Sequence, residues 1–130
     1  MNLYKRIGED NIKNVITEFY KQAFEDRFIG HFFFDKDRET LTQSQISFAI
    51  GMLGGPKNYV GQPLEKAHSE FSIRKAHFDR RQVIMREVME SAGLKKVDLE
   101  EWLLLEDNLR RLIITVVDAC NHKKSDNQAI

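Results

Sequence analysis

Both prolines of this chain, Pro56 and Pro63, stand in one stretch, GGPKNYVGQP, together with Gly54, Gly55 and Gly61. Proline lacks a backbone donor and glycine loses the most conformational freedom on ordering, so their concentration here marks a loop. On either side the chain carries no proline. Its apolar residues can recur at helical spacing without a forced break.

They do recur in that way. From Ile12 to Phe24 the apolar positions are Ile12, Val15, Ile16, Phe19, Tyr20, Ala23 and Phe24, which is one buried face of a helix ended by Asp26 and Gly30. Phe32, Phe33 and Phe34 form an aromatic corner. A second helix is predicted from about Arg38 to Leu53, with Leu41, Gln45, Phe48, Ala49 and Met52 on one face and Asp35 or Asp37 as N-cap. A short helix follows the loop, from Pro63 to about Ser69. A longer one is predicted from about Arg74 to Ala92, with Ala76, Val83, Ile84, Val88 and Ala92 inward and Gly93 as its stop. The last is predicted to be continuous through Leu99, Trp102, Leu103, Leu109, Leu112, Ile113, Val116, Val117 and Cys120. No strand pattern and no internal repeat competes. The expectation is an all-α fold with four main helices, one domain over residues 1–120, and a polar, disordered tail over 121–130.

Composition removes several function classes. The chain has 130 residues, with 20 Lys+Arg against 20 Asp+Glu. A balanced charge gives no nucleic-acid footprint and no polybasic membrane surface. A single cysteine, Cys120, allows no internal disulfide. The N-terminus has no apolar signal-type core, and no apolar run approaches the roughly 18 residues of a membrane span. These readings predict a soluble, cytoplasmic protein.

Two polar residues interrupt the apolar faces. Gln45 sits in the middle of the Leu41–Met52 face, and Tyr20 sits on the core face of the first long helix. A buried amide without a partner costs about 1–3 kcal/mol, and a buried phenol has a similar need. A tyrosine on such a stripe often satisfies itself with a carbonyl or water. Two such groups on different helices can instead share one polar focus in an apolar pocket. The histidines are His31, His68, His77 and His122. They form no HExxH or Cys/His zinc spacing. One imidazole suffices to hold a haem iron, however, and such a site leaves almost no sequence signature. His68 and His77 are both candidates on this ground. No G-x-S-x-G, no reactive cysteine setting and no phosphate-cradling loop is present.

From about Tyr4 to about Val117 the chain resembles the truncated, two-over-two globins of group I. The segments that carry the likeness are YKRIG, FYKQAFEDRFIGHFF, QISFAIGMLGGPKNYVG and LEKAHSEFSIRKAHF, in that order. The resemblance implies a truncated globin fold around haem b (iron protoporphyrin IX). It makes His68, of the AH pair, the proximal iron ligand, and puts Phe78, after His77, against the haem. It makes Tyr20 and Gln45 a hydrogen-bonded pair over the gas, with Leu41 keeping the entrance apolar and Phe33 wedged against the ring. Phe48, Tyr59, Leu64 and Ile73 complete the expected haem contacts. The chain departs from the family with Gly8-Glu9 in place of a glycine pair, with SEFSI after His68, and with Ala49 where some relatives carry a bulky aromatic. The implied ligands are O2, NO and CO, bound to a monomer. Two activities share this site: NO dioxygenation to nitrate, with a reductase as electron donor, and gas binding, delivery or sensing without turnover. A haem-free helical interaction module is the contrasting expectation.

Overall fold

The computed structural model describes residues 1–116. The order is α1 (Leu3–Ile7), α2 (Glu9–Glu25), a 3-10 turn (Gly30–Phe33), α3 (Arg38–Met52), α4 (Leu64–His68), α5 (Lys75–Ser91), α6 (Lys96–Asp107) and α7 (Arg110–Ile113). Among the described residues there is no strand. No described helix is long and apolar enough to cross a membrane. Two helix pairs make the body: α2 packs on α3, α5 on α6, and α2 also crosses onto α5.

The start of α2 is set by Gly8, whose φ of 91° suits glycine and lets α1 turn into α2 without a break in the chain. The inward face of α2 is the expected one: Ile12, Val15, Ile16, Phe19, Tyr20 and Ala23 are all buried. Asp37, not Asp35, caps α3, and its carboxylate accepts from the Thr40 backbone N–H at 2.9 Å. The loop after α3 begins with Gly54 at φ 107°. At Gly55 a Cβ would stand 2.7 Å from Tyr4 and Ile50, so the α1–α3 contact excludes any side chain there.

Three expectations are corrected. On α3 the core stripe is Thr42, Ile46, Ala49 and Ile50, while Leu41, Gln45, Phe48 and Met52 are only partly buried. This helix has two apolar faces because it separates the core from a cavity. On α5 the inward residues are Phe78, Ile84, Met85, Val88 and Met89. Ala76, Val83 and Ala92 are exposed, because the larger Phe78, Met85 and Met89 set which face of the helix turns inward. Phe34 of the aromatic corner is also exposed.

The last helix is not continuous. α6 ends at Asp107, α7 covers only Arg110–Ile113, and Ile114–Val116 are extended or irregular. Ile113, Ile114, Thr115 and Val116 are all β-branched, which weakens helix. The freed backbone finds another partner: Thr115 and Val116 N–H groups both donate to the Ile73 carbonyl, at 2.9 and 3.1 Å. The Thr115 hydroxyl accepts from Ile73 N–H at 2.8 Å and donates to the Phe71 carbonyl. This clamp holds the segment between α4 and α5, which the departure at SEFSI left open. Val117, Cys120, His122 and the expected tail lie outside the described residues.

Candidate functional site

The partly buried face of α3 looks into a cavity of about 320 Å³. Tyr20, Phe33, Leu41, Gln45, Tyr59, Leu64, His68, Ile73 and Phe78 all line it. Phe48 lines an adjoining space of about 60 Å³ together with Ala49, and its ring lies edge-on to Tyr59 at 5.2 Å. The two spaces share Tyr20, Gln45, Leu64, His68 and Phe78, so they are lobes of one cleft. The walls come from α2, the 3-10 turn, α3, α4 and α5, and the Gly/Pro loop contributes Tyr59.

The two histidines in this cleft differ in their hydrogen bonds. His68 closes α4, and its Nδ1 lies 2.6 Å from the Leu64 carbonyl. A carbonyl only accepts, so Nδ1 carries the proton and Nε2 keeps a free lone pair. Burial lowers the pKa of this ring, against the Leu64 bond, and the Arg81 charge lowers it further. The imidazole is therefore held neutral. His77 also borders the cavity, but its Nδ1 accepts the Arg74 backbone N–H at 2.9 Å and caps α5. Its proton sits on Nε2, which leaves no free lone pair on that nitrogen.

Tyr20 is packed among rings, edge-on to Phe19 at 4.8 Å and to Phe33 at 6.0 Å. Burial pushes its pKa up to about 12, so the phenol is neutral and able to donate. No hydrogen bond joins Tyr20 to Gln45 among the described residues. The cationic group beside it is Arg81, which lines both lobes with Tyr20 and whose guanidinium lies over the Phe19 ring packed edge-on against the phenol.

Arg81 and Glu106 were not among the residues singled out from the sequence. Both line the smaller lobe, and Arg81 lines the larger one as well. Arg81 Nη1 donates to Glu106 Oε1 at 2.6 Å, and Trp102 Nε1 donates to Glu106 Oε2 at 3.0 Å. Glu106 is 5% exposed. Burial opposes the Arg81 charge, but Glu106 and Tyr20 outweigh it and hold its pKa above the ordinary value. The signal was available: Phe78, Arg81, Met85 and Val88 share one stripe of α5, and Leu99, Trp102 and Glu106 share one of α6. Opposite charges on facing apolar stripes predict a buried pair.

Comparison with known proteins agrees with this architecture. The family described as "Bacterial-like globin" matches residues 2–115. A group 1 truncated hemoglobin of Nostoc sp. (strain MUN 8820) is 26% identical over 113 residues, covering 86% of this chain and 96% of that protein. One of Tetrahymena pyriformis is 33% identical over 78 residues, which span 59% of this chain and 64% of its own length. The crystal structure of truncated hemoglobin from Tetrahymena pyriformis in the Fe(III) form superposes with a TM-score of 0.84 at 25% identity, covering 88% of this chain and 98% of that one. A truncated oxygen-avid haemoglobin from Bacillus subtilis superposes with a TM-score of 0.78 at 25% identity, over 87% of this chain and 99% of that one. With its helices in this order and the family match running from end to end of the described fold, the chain belongs to the bacterial-like globins, as a group I truncated globin.

Proposed function

We propose that this protein binds haem b and uses it to bind O2, NO and CO reversibly, and that its activity is NO dioxygenation with nitrate as product. The observation that carries the reading is the tautomer of His68: a neutral imidazole with Nδ1–H fixed on a carbonyl and Nε2 free inside the cleft. That is the arrangement a metal-ligating histidine needs. The cavity walls fit the group as well, being aromatic and aliphatic and of a size suited to a bound cofactor.

When bound, haem supplies an iron that takes a diatomic gas. The protein's own part follows from the lining. Phe33, Leu41, Phe48, Tyr59, Leu64, Ile73 and Phe78 enclose the ring and keep water out. Tyr20 supplies a neutral hydroxyl that hydrogen-bonds a ligand carrying partial negative charge, and Gln45, on α3, lines the same cavity to assist it. Such a donor slows O2 release more than it affects CO, and a long-lived O2 complex is what a dioxygenase needs. A separate reductase supplies the electron, and the protein works as a cytoplasmic monomer. Ala49, small and beside the smaller lobe, leaves an apolar route for gas.

The test is an absorption spectrum of hemin-reconstituted protein, ferric, ferrous and with O2 or CO, for the parent, His68→Ala and His77→Ala. The expected result is a stable O2 spectrum in the parent and in His77→Ala, lost or altered in His68→Ala. No Soret band in the parent, or a spectrum indifferent to His68, overturns the reading. Stopped-flow mixing of the O2-loaded form with NO then tests the activity; no faster consumption of NO than by an ordinary storage globin counts against it.

A further inference from the structure

Arg81 and Glu106 form a largely buried ion pair at the edge of the cleft. Glu106 is fixed from two sides, by Trp102 Nε1 at 3.0 Å and Arg81 Nη1 at 2.6 Å. Gln82 Oε1 accepts from the same Arg81 nitrogen at 2.6 Å. The guanidinium also lies over the Phe19 ring, 4.9 Å from its centroid, and that ring is the one packed edge-on against Tyr20. Arg81 is thereby immobilised at the end of the cleft, beside the phenol.

A guanidinium has donors and no acceptor. In any hydrogen bond between Arg81 and Tyr20 the phenol oxygen must accept, so its proton stays free for another acceptor. The remaining open direction is the cavity that both residues line. We propose that Arg81, locked by Glu106 and Trp102, is a positioning residue that turns the Tyr20 hydroxyl into a fixed hydrogen-bond donor toward the cavity. The proposal deepens the gas-binding reading and rests on it for the ligand. Trp102, Glu106 and Arg81 are joined in one hydrogen-bonded chain, and Arg81 and Tyr20 line the same two lobes of the cleft, so the proposed bond to the phenol oxygen is the last link of that chain. A preset donor loses no reorientation when a ligand arrives, which favours ligands with negative charge on the far atom over those without it.

The experiment uses Arg81→Met/Glu106→Leu, which removes both charges and leaves neither buried alone. Its first readout needs no haem. The chain has three tyrosines, so ¹³Cζ-labelled tyrosine gives three resonances, assigned by Tyr→Phe variants. The Tyr20 resonance moves in the variant while those of Tyr4 and Tyr59 stay; an unmoved Tyr20 resonance overturns the proposal. The second readout uses the hemin-loaded protein. O2 dissociation speeds up by roughly tenfold or more, the scale of one lost charge-assisted bond, while CO dissociation changes little. In a Tyr20→Phe background the same pair of substitutions has no further effect on O2 release. Equal acceleration of O2 and CO, or an undiminished effect without the phenol, overturns it. If the double variant does not fold, Glu106→Gln loosens the anchor and is read in the same two ways. A parent that takes up no hemin sinks the haem reading, while the tyrosine resonances still decide the role of Arg81.

Discussion

At the scale of single residues, hydrogen-bond bookkeeping separates groups that look alike in the sequence. His68 and His77 both reach the cleft, yet the Leu64 carbonyl accepts from a protonated Nδ1 on one ring, and the Arg74 backbone N–H donates to an unprotonated Nδ1 on the other. Trp102 is another such residue. Its ring is fully buried and its N–H satisfies a buried carboxylate oxygen. Trp102→Phe keeps much of the ring but leaves Glu106 Oε2 with only the long Arg81 Nη2 bond at 3.4 Å. The expected loss is about 1–3 kcal/mol from the lost hydrogen bond to a charged oxygen, with a smaller cavity contribution. Urea unfolding followed by circular dichroism reads it, since the chain's one tryptophan is gone. An unchanged midpoint means that the indole N–H does not matter to Glu106.

Between elements, Asp26 shows how one side chain can end a helix and anchor another. It follows α2, its Oδ2 accepts from the Phe28 and Ile29 N–H groups at 3.0 and 3.1 Å, and its Oδ1 accepts from Arg80 of α5 at 2.8 Å. The Arg80 bond, against some burial and helped by the two backbone donors, lowers its pKa below the ordinary value. A depressed folded pKa stabilises the native state above the unfolded value of roughly pH 4, and the contribution fades as pH falls through the folded one. Asp26→Asn is therefore less stable than the parent at neutral pH. The gap closes on acidification below about pH 4. Chemical unfolding at a series of pH values tests this; a gap that is constant with pH counts against the assignment. The clamp of Thr115 on Ile73 acts at the same scale, since it replaces the end of a helix with a bridge to the segment after α4.

Over the whole molecule, two helix pairs enclose one cleft, and filling that cleft should be felt by the entire fold. A ligand that binds only the native state stabilises it by mass action, about 4 kcal/mol at a thousandfold excess over its Kd. For a domain of this size that raises the unfolding temperature by the order of ten degrees. Added hemin is expected to shift the parent's Tm by that amount and His68→Ala by clearly less, measured by differential scanning calorimetry. A parent whose Tm ignores hemin has no such site.

What the sequence determined by itself is what local rules control. Breakers gathered at residues 54–63, clean spacing from Ile12 to Phe24, and Gly93 after α5 fixed where helices start and stop, because helix formation depends on nearby residues. The likeness of LGGPKNYVG and the AH and HF pairs also pointed to the family and to the lining of the cleft. Tertiary structure decided the rest. Only packing tells which of two apolar faces of α3 meets the core and which meets the cavity. The length of the last helix turned on a carbonyl at Ile73, distant in sequence, that competed for the backbone of Thr115 and Val116. Arg81 and Glu106 each look like a surface charge when read alone. They become a buried pair only when α5 and α6 face each other, since a charge stays in the interior only with its partner beside it.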